Sequence, residues 1–217
     1  ANTKINTKNK KFNFPNEEKL ETIEVVVVDF INVNGWWEDD FDSANPVPPD
    51  CYAINRKPKD LAPADNAPKK QAKICDDTAG RCCALNEWES GVGKAKACKN
   101  MRRLAVMAPD ATKDDDTIFT LDLPPTAIKG WDKYVSNLAD KGRVPRQVIT
   151  KFTMDSTVNY SKPMPTLVDN NDNFTAHHER LGEARTLLHQ GYDYSSTQSA
   201  PPRRTSSRVR RTAKKKR

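Results

Sequence analysis

Residues 20–33 read LETIEVVVVDFINV, with four consecutive valines at 25–28. A run this apolar and this rich in β-branched side chains, too short for a membrane span, predicts a strand covered on both faces, around which a core can be built. Directly after it, Asn34-Gly35 is a tight-turn signal, and Trp36, Trp37 and an acidic run, EDDFD, follow. Before it, residues 1–19 are rich in Lys and Asn and carry Phe12, Phe14 and Pro15 without helical or alternating period. They are expected to form a flexible basic arm.

Farther along, residues 42–74 hold six prolines and one short strand candidate at 51–54, so a long loop with a strand inside it is predicted. Residues 102–108 (RRLAVMA) and 117–123 (TIFTLDL) read as strands, the second with clean alternation. Thr126 is placed to cap a helix whose Ile128, Trp131, Val135 and Leu138 share one face and which Gly142 ends. Strands are expected at 144–154 and 164–168. A second helix is expected at 175–190, with Leu181, Ala184, Leu187 and Leu188 inward and Gly191 as its stop. The resulting class is mainly β with two helices (α+β). The order fits an OB-like small barrel of about five strands with a helix before the fourth and a cysteine-rich insertion at about 51–98. A generic α+β sandwich fits the same string. Residues 20–192 make the domain and 193–217 a disordered basic tail.

Composition supports that division. Only 36% of residues are hydrophobic and 30% are charged, too polar for all 217 residues to pack around a core. Residues 198–217 carry nine Lys/Arg and no acid, more than the net +7 of the whole chain, so the remainder is slightly negative. Nucleic-acid binding by the body must then rest on local patches. No apolar run is long enough to cross a membrane, and the start lacks a signal-peptide core. An odd number of cysteines, two of them adjacent, suits a reducing compartment, and a cytoplasm is expected.

The chemistry is concentrated in residues 75–107, CDDTAGRCCALNEWESGVGKAKACKNMRRLAVM. Cys75, Cys82, Cys83 and Cys98, with Cys51 upstream, can tie a polar loop by holding a structural zinc as thiolates, although no CxxC pair is present. Small buried cysteines beside loop thiols are the plainer alternative. Lys94, Lys96, Lys99, Arg102 and Arg103 follow Trp88 closely, and cations next to an aromatic are what a nucleic-acid strand needs for its phosphates and base faces. Trp36 and Trp37 are further stacking candidates, whereas Trp131 belongs to a helix stripe and to the core. Gly91-Val-Gly-Lys94 is not a Walker A loop: one residue separates the glycines and Ala95 follows the lysine. The acidic runs have no nearby histidine, and no GxSxG or HExxH occurs, so nothing points to an enzyme.

The segment Trp88-Glu-Ser-Gly-Val-Gly-Lys-Ala-Lys-Ala-Cys-Lys-Asn-Met-Arg-Arg-Leu-Ala-Val, followed by Leu123-Pro-Pro-Thr and a Trp-bearing helix, resembles a group of poorly characterised tailed-phage proteins. More loosely, it is similar to the phage single-stranded DNA-binding proteins of the OB-fold. Two features differ: Gly80 stands where a CxxC pair would have its first thiol, and the tail is basic. The resemblance implies a role in phage replication or recombination, in the host cytoplasm, with single-stranded DNA and replication or recombination proteins as partners. The other reading is a virion or scaffold-type interaction protein that contacts nucleic acid through its tail.

Overall fold

In the computed structural model, which describes residues 3–39, 47–75, 82–112 and 117–195, the valine-rich strand is the hub. The first three strands are β1 (Lys4–Lys8), β2 (Lys11–Asn13) and β3 (Lys19–Leu20). The hub, β4 (Thr22–Trp36), is fifteen residues long because it serves three partners. One edge is shared by β8 (Val148–Met154), paired with residues 22–25, and β5 (Cys51–Asn55), paired with residues 32–36; β6 (Lys99–Met107) takes the other edge. Beyond β6 comes β7 (Phe119–Leu123), and beyond β8 comes β9 (Pro163–Asn170). The described strands form one sheet in the order β3-β2-β1-β7-β6-β4-β8-β9, with β5 branching from β4. The sheet is strongly curled into a half-barrel.

A register shift between Val27 and Asp29 explains the unbroken valines. A bulge inverts the in/out alternation, so Ile23, Val25, Val27 and Phe30 serve one side of the sheet, and Val28, Ile31 and Val33 the other. On the first side lies α1 (Pro125–Ala139), burying Ala127, Trp131, Tyr134 and Leu138. The Trp131 ring meets Phe30 edge-on at 5.2 Å and stacks on Phe152 at 6.0 Å. The second side is covered by α3 (Leu181–Leu188) through Ala184 and Leu188, after a short α2 (Phe174–Glu179). Both faces of the β4–β6 region are thus closed by helices. No helix among the described residues is long and apolar enough to cross a membrane.

Several expectations need correction. From residue 3 onward the N-terminal segment is not a flexible arm: β1 pairs in parallel with β7, and Ile5 and Phe12 are 1% and 0% exposed. Asn9 and Lys10 both have positive φ (54° and 57°), making the two-residue turn that joins β1 to β2. The Lys10 backbone N–H donates to Ser161 Oγ at 3.1 Å and its Nζ to the Val158 carbonyl at 2.8 Å, so this hairpin tip touches the β8–β9 connection. Asn34 and Gly35 are strand, not turn, because β5 and β6 pair with them from both sides. The first helix starts at Pro125, so Thr126 lies inside it and does not cap it. The second splits at Arg180, which gives three helices rather than two. The tail from residue 196 on, most of EDDFD and Gly80 lie outside the described residues.

Candidate nucleic-acid interface

Between Cys82 and Cys98 the chain makes a compact loop from its own polar groups. The Ser90 hydroxyl shares its one proton between the carbonyls of Leu85 (3.0 Å) and Glu87 (2.7 Å), and its Oγ accepts from the Ala97 N–H (3.0 Å). The Gly91 N–H donates to the Ala95 carbonyl at 2.9 Å. A side chain at residue 91 would place its Cβ 2.9 Å from the Ala97 nitrogen, so only glycine lets the two arms of the turn approach this closely. Gly93, at φ +65°, supplies the left-handed residue at the tip. The glycine pair is therefore a turn-former, as the failed Walker spacing implies.

What this turn presents is unusual for a polar loop: Trp88 is 75% exposed and Val92 91%. Lys96 Nζ lies 5.3 Å from the centroid of the Trp88 ring, a cation–π pair worth about 0.5–1 kcal/mol at an exposed site. Lys94 and Lys99 are exposed on the same segment, and Lys99 Nζ donates to the Lys96 carbonyl at 3.3 Å. Lys96 thus links Trp88 and Lys99, while Lys94 and Val92, the latter overlooked by charge and motif reading, are exposed on the same turn. An apolar residue between lysines in a turn carries no periodic signal to find it by.

The other expected contacts lie elsewhere. Arg102 is partly buried and its Nη2 pairs with Asp132 of α1 at 3.1 Å. Arg103 is buried: Nε meets Asp122 at 3.1 Å, Nη1 donates to the Gln190 carbonyl at 3.0 Å, and Nη2 to Tyr192 Oη at 3.3 Å. It holds the C-terminal segment onto β6, and its assignment to phosphate contact is corrected on that ground. Alternation along a strand could have placed it inward, but its charge argued for the surface. Trp36 and Trp37 are half-buried. Trp37 Nε1 donates to the Val47 carbonyl at 2.9 Å, and Trp36 faces a small cavity beneath the loop. Trp131 is core, as its helical stripe predicts.

That cavity, about 20 Å³, is lined by Cys51, Cys75, Cys83 and Cys98 together with Asn34, Trp36 and Asn86. Burial pushes the thiols of Cys75 and Cys98 up to about 12, and the neighbouring sulfurs add to the shift. Cys82 is not in the lining; its Sγ donates to the Cys75 carbonyl at 3.1 Å. Among the described residues no three His, Cys, Asp or Glu side chains already stand in metal-binding geometry.

No family model matches this chain, and neither does any curated protein or solved structure.

A second polar cluster, missed in the sequence, fastens α3. Asp29, 8% exposed, accepts from Arg56 Nη1 at 3.0 Å and from Arg185 Nε at 3.1 Å. Burial raises its carboxyl, but the hydrogen bonds from Arg56 and Arg185 outweigh this and hold it below the usual range. Its charges come from residues far apart in the chain, so no local motif announces it.

Proposed function

We propose that the protein is a non-enzymatic single-stranded DNA-binding protein, acting in phage replication or recombination. The observation that carries this is the exposed Trp88 ring backed by the Lys96 ammonium, with Lys94 and Lys99 exposed on the same segment. An aromatic face accepts any base, at roughly 1–3 kcal/mol per stacked base, while the lysines neutralise the backbone on either side. Such a site favours unpaired bases, because a duplex keeps its base faces stacked internally.

Strand order supports the OB-like reading of the domain. The path β7-β6-β4-β8-β9, with α1 between β7 and β8, follows the 3-2-1-4-5 order of that barrel. Where strands 3 and 5 would close the barrel, β1 lies beside β7 instead. Residues 37–98 then occupy the connection between strands 1 and 2, one of the loops with which OB-folds contact oligonucleotides. Since α3 lies over one side of β4 and β6 and α1 over the other, these strand faces are closed and the ligand is assigned to the loop.

Fluorescence titration of the full chain with short single-stranded oligonucleotides tests this. Binding should quench tryptophan emission, persist when residues 196–217 are deleted, and lose most of its quenching in Trp88→Phe. Binding that vanishes with the tail, or that is equally strong to duplex, would instead favour the virion or scaffold-type reading.

A further inference from the structure

The cavity under the Trp88 loop gathers sulfurs from four separate places: the start of β5 (Cys51), residue 75, residue 83 and the residue just before β6 (Cys98). Three of these are buried, at 6–8% exposure. Burial alone gives little reason for the convergence. The local apolar cluster contains only Ala53, Leu61 and Cys75, so few hydrophobic contacts hold this lobe. The lining also includes two buried polar atoms without partners, Asn34 Nδ2 and Asn86 Oδ1.

The room available is about 20 Å³, the space of a single water-sized body. Burial raises the Cys51 thiol, and a hydrogen bond from the Gln71 backbone offsets this only in part. Backbone bonds set the neighbours: the Cys75 N–H donates to Leu61 at 2.8 Å, and the Cys98 N–H to Leu85 at 2.7 Å. Cys82, adjacent to Cys83 in sequence, is turned to the Cys75 carbonyl and outside the lining.

We propose that Cys51, Cys75, Cys83 and Cys98 hold one structural zinc ion, with Cys82 excluded. The ligand set differs from the one that sequence clustering suggests: Cys51, far upstream, replaces Cys82. The sulfurs reach the ion by rotation about χ1 within the lobe, and each gives up its proton on binding. The ion would join β5, the segment at residue 75 and the base of the Trp88 loop into one unit. This assignment does not depend on nucleic-acid binding.

Two measurements on the full chain test it. Chelated, reduced protein titrated with Co(II) should develop the intense visible bands of a tetrahedral four-sulfur site and saturate at equimolar metal. Cys82→Ser should leave the bands unchanged, whereas Cys51→Ser should weaken and shift them. Should the Cys51 variant fail to fold, alkylation mapped by mass spectrometry on the unaltered chain decides. In enough urea to open the lobe of chelated protein, zinc should abolish labelling at Cys51, Cys75, Cys83 and Cys98 and leave Cys82 reactive. Absent cobalt bands, labelling unchanged by zinc, or protection that includes Cys82 and omits Cys51 would each overturn the assignment.

Discussion

Arg103 Nη1 stands 3.0 Å from the Gln190 carbonyl oxygen and 3.4 Å from that of Leu188. The Leu188 carbonyl is the last of α3, where carbonyls have no intrahelical donor and carry partial negative charge that a buried guanidinium satisfies; Gln190 lies two residues beyond. The same side chain meets Asp122 of β7, which also pairs with Lys4 of β1 at 2.9 Å. One carboxylate and one guanidinium thereby fasten the N-terminal strand, two central strands and the last helix.

Arg103→Met should therefore be a stability variant. Removing one partner of a buried pair costs about 3–5 kcal/mol, and the low end applies here because Lys4 remains beside Asp122. Urea denaturation should show that loss, while oligonucleotide affinity per folded molecule stays unchanged.

Acid should loosen the same contacts. At Asp122 burial raises the carboxyl, but Arg103 and Lys4 outweigh it, and the net shift is downward, as at Asp29. Groups depressed in the folded state contribute stability above their unfolded value, about 3.9, and lose it as pH falls through the folded value. The urea midpoint should hold near neutrality and fall below about pH 4. Asp29→Asn should start lower at neutral pH and respond less to acid.

At the interface, Trp88→Ala should weaken single-strand binding by roughly 1–3 kcal/mol without changing the salt slope, since stacking releases no counterions. At 75% exposure the ring contributes little to the core, so the melting temperature should barely move. Lys94→Glu with Lys96→Glu should weaken binding strongly and flatten the salt dependence. Calorimetry and titrations at several salt concentrations separate the two effects.

Gly91→Val probes the turn itself. Its Cβ would sit 2.9 Å from backbone atoms of Lys96 and Ala97, so the loop must open. Global stability should change by no more than about 1 kcal/mol, as for surface loops generally. Affinity for oligonucleotide should fall several-fold, because Lys96 and Trp88 would no longer be held together.

Phe12→Ala tests the N-terminal segment. A fully buried phenylalanine truncated to alanine costs about 3–5 kcal/mol. Thermal unfolding that leaves the variant as stable as the parent would return residues 3–13 to the status of an appendage.

The hub strand, the alternation of residues 117–123 and the stripe of Trp131 and Leu138 were legible because each is a local pattern of burial. The N-terminal strand was not, since Ile5 and Phe12 are isolated apolar residues among lysines and gain their burial only from β7 and the core around α1. Asn34-Gly35 misled because turn chemistry is a local preference, which pairing on both edges overrode. At the site, the contact of Lys96 with Trp88 follows from their closeness in the chain. Arg103 was not legible, because the carbonyls it serves lie at residues 188 and 190.

The parallel pairing of Ile5 with Leu121 also bears on how the chain is made. Residue 5 must wait until residue 121 has been synthesised before it finds its neighbour, a delay on the order of ten seconds. Throughout that interval Ile5 and Phe12 stay uncovered, held among lysines and asparagines that keep the nascent segment solvated. The lysines and asparagines that disguise this strand as an appendage are thus also what separates its apolar residues until their partner arrives.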